Sequence, residues 1–367
     1  MTLDLSLLPD GGLQWLAPTG EHAAIVLSSR IRLARNLAGF AFPPRAREGE
    51  RLRVLQAVRQ AVPHLEGLRD GVLVRVDECT AAERLLLHER HLVSRELAGL
   101  EVAPGAASSP AAPTAGAVLV TGDVGLMINE EDHLRLQVFR SGYDLEGALA
   151  HAEALDRGLG AAVPYAAHPE FGFLTSCPTN TGTGLRASVL IHLPGLVMTQ
   201  EIGKVLQGLQ HMGLTHRGLY GEGSEVLGNL FQISNQTTLG RSEGELVDQL
   251  ARVVRRVIER EEEARRVLRR EAGYIIEDKL WRAYGALRHA RSLSGEEAMQ
   301  LLSGVRLAAS LQLVTGLSVY TLNKLLIFSQ TAHLMLAAGR ALTESEASVA
   351  RARYVRSVLA AEAKITD

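Results

Sequence analysis

Residues 172 to 189 read GFLTSCPTNTGTGLRASV, which sets a thiol (Cys177), a turn rich in hydroxyls and glycine, and a guanidinium (Arg186) within a few positions of one another. A thiolate can act on or sit against a cationic centre, glycines let a backbone come close to a ligand, and the arginine fork matches phosphate oxygens in paired contacts. Three further clusters carry related chemistry: Arg30 and Arg32 in SSRIR; Glu130, Glu131, Asp132, His133 and Arg135 in NEEDHLR; and Arg217 with Glu222 in HRGLYGEGSE. On a strand, Arg30 and Arg32 point to one face, which aims both forks at one ligand. Several arginines brought together can neutralise a triphosphate. Taken singly, each cluster also has a plain structural reading: an exposed arginine, an acidic turn after a strand, a buried thiol filling a gap.

The frame around these residues is that of an ordinary globular protein. The chain has 367 residues, 46% hydrophobic and 22% charged, with a formal net charge of -2, so nothing global favours nucleic acid or membrane partners. Its length suits two domains. No run reaches a membrane span and the first residues, MTLDLSLLPDGG, lack the pattern of a secretion signal, which gives a cytoplasmic expectation. Two cysteines, Cys79 and Cys177, make neither a disulfide scaffold nor a four-ligand zinc site. Of the 39 basic residues only Lys204, Lys279, Lys324 and Lys364 are lysines, and none lies in a glycine loop. A Walker A loop is therefore excluded, and any bound nucleotide phosphates must be held by arginines.

The elements that would position these side chains fall in two textures. Residues 23 to 37 read as a strand, 50 to 69 as a helix, and 71 to 79 as a strand leading into the helix AAERLLLHERHL. The stretch 101 to 116 reads as a loop. AVLVT and GLMIN flank a hairpin turn, HLRLQVF alternates as a strand, 145 to 158 is helical, FGFLT and RASVLIHL are strands, 197 to 211 is a helix and LFQIS a last strand. This order predicts an α+β domain over 1–241, an antiparallel sheet flanked by helices. From 242 to 367 the pattern is all-α: Ser242 with Glu245, Ser294 with Glu297 and Thr343 with Glu346 fit the capping box, and REEEARRVLRRE at 260 to 271 reads as a solvated helix face.

In combination and in this order, SSRIRLARNL, NEEDHLR, CPTNTGTGLRASV and RGLYGEG resemble the ATP:guanidino phosphotransferases, the phosphagen kinase family. That family's Cys-Pro-x-Asn-x-Gly-Thr-Gly signature is matched by Cys177, Pro178, Asn180, Gly182, Thr183 and Gly184, within a resemblance spanning residues 15 to about 240. The helical part follows the catalytic part here, and with RGLYGEGSE and LGNLFQISNQ this is similar to the family's bacterial protein arginine kinases. The resemblance implies transfer of the ATP γ-phosphoryl group to arginine side chains of proteins.

It also implies roles. Glu131 and Glu222 grip the guanidinium and accept its proton, with Cys177, partly ionised by neighbouring positive charge, against the same group. The threonine-glycine turn lets the backbone approach substrate and nucleotide. Arg30, Arg32, Arg135, Arg186 and Arg217 surround the phosphates, and Mg2+ is held mainly through ATP rather than by protein ligands. The nucleotide-binding stretches correspond to Ser28, Ser29, Arg30, Ile31 and Arg32; to Arg186, Ala187, Ser188, Val189 and Leu190; and to Arg217, Gly218, Leu219, Tyr220 and Gly221, with His91 a further contact. The implied partners are protein substrates with exposed arginines, a zinc-binding activator, a Clp ATPase and protease acting in stress quality control, and a heat-shock repressor substrate. Apolar faces in the helical domain suit a homodimer. Where those relatives carry Arg-Asp-x-x-Arg-Ala, a phosphoarginine-binding motif, this chain has Ala347, Ser348, Val349, Ala350, Arg351 and Ala352. Two alternatives stay open at this point, a kinase for a small guanidino compound and an inactive adaptor for arginine-rich or phosphoarginine clients.

Overall fold

A computed structural model describes residues 13–100, 112–219, 226–314 and 316–362. Glu222, Tyr220 and Gly221, together with most of the loop expected at 101 to 116, lie outside the described residues.

The chain runs β1 (Val26–Arg35), α1 (Glu48–Ala61), β2 (Val72–Arg75), α2 (Ala81–Glu89), β3 (Ala117–Thr121), β4 (Val124–Ile128), β5 (Leu134–Ser141) and α3 (Leu145–Ala162). It continues through β6 (Ala167–His168), β7 (Gly172–Phe173), β8 (Leu185–His192), α4 (Pro194–Met198), α5 (Ile202–His211), β9 (Leu214–Arg217) and β10 (Leu230–Asn235). The helices α6 (Glu243–His289), α7 (Gly295–Ser310), α8 (Val319–Phe328), α9 (Thr331–Ala338) and α10 (Glu344–Glu362) follow. Eight strands form one sheet in the order β2-β3-β4-β5-β1-β8-β10-β9, with antiparallel neighbours throughout. This is the α+β arrangement expected from the sequence.

Side chains alternate across this sheet because the strand period is two. Ile31, Leu33, Leu136, Val138, Ala187, Val189 and Ile233 fall on one face and are buried under α3 and the first half of α6, through Ala148, Ala152, Leu155, Leu250, Val254 and Val257. The residues between them, Arg30, Arg32, Arg135, Gln137, Arg186, Ser188, Gln232 and Ser234, are left for the opposite face. Burying a side chain such as Ile31 contributes about 1.5–3 kcal/mol, so the apolar face fixes the register and thereby aims the polar one.

Several local expectations change. FGFLT yields only the two-residue β7, paired with β6, and the helix expected at 197 to 211 is two helices, α4 and α5. Edge strand β9 was not expected. Helix α2 ends at Glu89, so His91 sits in the turn beyond it with a left-handed backbone, φ 59°. Ser242 and Glu245 cap α6 reciprocally, at 3.3 and 2.8 Å, and the helix then runs 47 residues with one break in its dihedrals at Ala272. The charged stretch 260 to 271 is not wholly a solvated face. Glu261 and Arg265 are buried, because the Glu261 carboxylate accepts from the amides of Gly195 and Leu196 at 2.9 Å and from Arg265 Nε at 2.7 Å.

A second core joins the helices to the sheet. Leu302, Val305, Leu322, Leu325, Leu326 and Val355 pack with Trp15, Leu16, Leu27, Phe139, Leu190 and Leu219, on the polar side of the strands. Among the described residues no helix is long and apolar enough to cross a membrane.

Candidate active site

The strand register builds the site. Arg32 on β1 lies opposite Arg186 on β8 and Gln137 on β5, Arg30 lies opposite Ser188, Ala34 opposite Arg135, and Gln232 on β10 opposite Arg217 on β9. All five arginines named from the sequence therefore project from neighbouring positions on one face, and they line a cavity of about 410 Å³. The end of α2 and the segment after it form its other wall, with His88, His91, Val93, Ser94, Arg95 and Glu96. A smaller annexe alongside is lined by Trp15, Ser28, Phe139, Ser188, Leu190 and Leu219, where Trp15 stacks on Phe139 at 5.6 Å and the Arg30 guanidinium lies 5.3 Å from the Phe139 ring centre.

Positive charge is crowded here. Burial first, then Arg135 and Arg186, brings Arg30 down to about 9, and burial with Arg30, Arg135, Arg186 and Arg217 holds Arg32 well below the ordinary arginine value. Arg32 Nε is buried with no hydrogen-bond partner in the structure. Arg135 differs: burial acts to lower it, but Glu130 outweighs this with Glu96, Glu131 and Asp132, so its net shift is upward. Such a face, with a buried unpartnered donor, fits a polyanion. Among the described residues Glu96 is the one carboxylate lining the cavity, and no group of three or more His, Cys, Asp or Glu could hold a metal ion.

The acidic turn is built in from β1. Asn36 donates to Asp132 Oδ1 at 2.7 Å and accepts from the His133 amide at 2.9 Å, while His133 Nδ1 accepts from the Leu37 amide at 3.1 Å. Asp132 Oδ1 also accepts from the Ser176 amide at 2.6 Å, which draws the Cys177 loop to the same turn. Glu130 turns inward to bond Arg135, leaving Glu131 half-exposed at the rim, where Oε2 accepts from Asn180 Nδ2 at 3.3 Å and lies 3.9 Å from Arg135. Burial raises the Glu131 carboxyl above its usual value, Glu130 and Asp132 add to the rise, and Arg135 opposes it. A carboxylate raised in this way is a better proton acceptor.

Cys177 Sγ lies 3.0 Å from Thr179 Oγ1, and the loop around it is pinned by Thr238, whose hydroxyl bonds the Thr179 and Thr181 carbonyls at 2.9 and 2.8 Å. Neither Cys177 nor Glu131 lines the cavity; Glu131 reaches it through Arg135. The glycines serve the chain itself. Gly182 has φ +112° and Gly184 φ +61°, and a Cβ there would stand 2.4 Å from the Thr238 carbonyl oxygen and 2.5 Å from that of Ala34. Close approach at these two glycines is to the protein backbone.

Strand alternation also narrows the contiguous stretches named from the sequence. Ser28, Arg30, Arg32, Arg186, Ser188 and Leu190 face the cavity or its annexe, and Leu219 and His91 line both. Ile31, Ala187 and Val189 are buried in the core on the other face, and Ser29 Oγ bonds Gly142 and Asp144. Gln137, Gln232 and Ser234 were missed, although residue i+2 from Arg135 on an alternating strand was a signal for Gln137. The inward turn of Glu130 had no sequence signal.

Two family models match. The ATP:guanido phosphotransferase C-terminal catalytic domain matches residues 53–264, and the protein-arginine kinase McsB C-terminal domain matches 274–367. The first match begins after β1, so Arg30 and Arg32 lie ahead of it. A protein-arginine kinase of Moorella thermoacetica is 43% identical over 97% of this chain and 100% of its own, and that of Bacillus subtilis 39% identical over 96% and 94%. Among solved structures, lombricine kinase superposes with a TM-score of 0.56 at 25% identity, over 74% of this chain and 72% of its own. A site built of convergent arginines beside a raised carboxylate accords with the matches, which run almost the whole length and place this chain in the ATP:guanido phosphotransferase family, among its protein-arginine kinases.

Proposed function

We propose that this protein transfers the γ-phosphoryl group of ATP to arginine side chains of other proteins at the arginine-lined cavity, and the single observation that carries the site is the convergence of Arg30, Arg32, Arg135, Arg186 and Arg217 on one sheet face. The five guanidinium groups hold the phosphate oxygens. Magnesium would be held mainly through the nucleotide phosphates beside the five arginines and would supply further neutralisation of phosphate charge there. Phosphoryl transfer passes through a loose transition state, so placement and charge neutralisation carry the catalysis. The acceptor guanidinium, protonated in solution, lies between Glu131 and the Cys177 loop. Glu131 takes its proton as the nitrogen attacks phosphorus, and ADP leaves along the arginine face. Glu222 is proposed as the second carboxylate on the resemblance alone.

The two-part organisation, 1–241 and 242–367, belongs to the proposal, with α6 shared between sheet and helices. The resemblance extends it to a cytoplasmic setting, a zinc-binding activator, a heat-shock repressor substrate and hand-over of marked clients to a Clp protease. Exposed Tyr274, Ile275 and Trp281 on α6 support self-association through the helical part.

Phosphorus NMR of the protein with Mg-ATP and either unfolded casein or free arginine tests the acceptor. A phosphoramidate signal on casein supports the reading. Signal on free arginine alone makes the protein a small-molecule kinase, and signal on neither favours the adaptor.

A further inference from the structure

The cavity wall formed by residues 88 to 96 has no strand pairing; Leu92 and Val93 pack against Val118, Val120 and Met127 of the sheet, and side-chain hydrogen bonds add polar anchors from two sides. From the sheet, Gln137 Nε2 donates to the carbonyls of His91 and Leu92, at 3.0 and 3.3 Å. From the C-terminal helices, α9 meets the end of α2. Both oxygens of the buried Glu89 carboxylate accept from the Ala332 amide at 3.0 Å, and Glu89 Oε2 lies 3.0 Å from His333 Nδ1. Arg90 Nε donates to His333 Nε2 at 3.2 Å. The Phe328 ring meets His333 edge-on at 5.1 Å.

These bonds allow only one form of the ring. A carboxylate can only accept, so Nδ1 carries the hydrogen; the Arg90 Nε–H can only donate, so Nε2 must be bare. Neutral His333 with its proton on Nδ1 thus links Glu89 and Arg90, and the next residue, His91, already lines the cavity.

We infer that His333, supplied by the C-terminal helices, is a positioning residue for the proposed nucleotide site, holding the 88 to 96 wall against the arginine face through Glu89 and Arg90. The inference rests on the reading of that cavity as the ATP site. Protonation at Nε2 replaces an acceptor by a donor facing Arg90 and breaks the link. Burial keeps the ring below the ordinary histidine value although Glu89 pulls the other way. The charged groups around it are Glu89 at the end of α2, Arg90 just beyond it and, further off, Arg351 from α10, whose guanidinium bonds the Ser329 and Leu293 carbonyls and interacts with the Glu89 charge.

The test is the KM for ATP in the full chain against pH, for the wild type, His333→Ala, His333→Gln and Arg32→Gln. Loss of the paired bonds in His333→Ala raises KM about five- to tenfold with kcat within about twofold. His333→Gln, whose amide can donate to Glu89 and accept from Arg90, restores KM at neutral pH and loses the wild-type rise in KM toward acid. The titration of ATP itself is common to every variant, so the difference between profiles reads His333. Unchanged KM in His333→Ala, or superimposable pH profiles for the wild type and His333→Gln, overturns the inference even if the alanine variant is poorly folded. If Arg32→Gln leaves KM intact, the ATP-site reading fails first; if it raises KM while the His333 variants do not, the inference alone fails.

Discussion

Arg32 carries a buried donor without a partner among four other arginines, so the free protein bears a cost that a bound polyanion removes. Arg32→Gln is expected to raise the melting temperature of the free protein by roughly 2–4 °C while weakening ATP about ten- to a hundredfold, read by thermal denaturation and calorimetric titration. Glu131 behaves differently because it acts on the acceptor. Glu131→Gln should lower kcat by about 10²–10⁴ with little change in ATP affinity. Since Glu131 must be ionised to take a proton, and burial raises its carboxyl, kcat falls as pH drops through that raised value, an acid limb that the glutamine variant lacks. At this scale the arginines and the acidic turn were legible as residue types at strand spacing. The division of labour between Glu130 and Glu131 was not, because it depends on which carboxylate the strand end turns toward Arg135.

The element that presents Cys177 is a loop held by a residue far along the chain. Thr238 is buried and its hydroxyl bonds two loop carbonyls. Thr238→Val keeps the shape and leaves both carbonyls without that donor, so a stability loss of about 1–3 kcal/mol is expected in urea melts, with kcat reduced more than ATP affinity. Strands β1, β5, β8 and β10 could be read from alternation and composition. Strand β9 could not, since Leu214–Arg217 is a short edge segment whose identity comes from pairing with β10. The burial of part of α6 was equally hidden, because Glu261 and Arg265 look solvated until α4 presents its amides to Glu261.

Across the whole molecule, sheet and helices are joined by buried polar groups. Arg306 donates to the carbonyls of Ala23 and Ala24 at 2.8 and 2.9 Å and to Asn323 Oδ1 at 3.2 Å, and lies 3.0 Å from His192 Nδ1. Burial, reinforced by Arg306 and Arg265, holds His192 well below its usual value; burial with Arg30 does the same for His91. The unfolded chain takes up these protons near its ordinary histidine pKa of about 6.5 while the folded chain does not, so stability rises with pH across roughly 5 to 7. Urea melts at pH 5.5 and 7.5 check the sign; equal midpoints would contradict it. No pattern in the sequence announced these joints, since each depends on groups that the fold brings together from separate elements, such as Arg306 with His192 and with the carbonyls of Ala23 and Ala24. The central claim is phosphoryl transfer to arginine in a protein, and it is met most directly by acid-free mass spectrometry of unfolded casein after incubation with the protein and Mg-ATP. Phosphoarginine on casein, lost with Glu131→Gln, is the predicted result; casein without phosphoarginine, or modification undiminished by Glu131→Gln, would contradict the account.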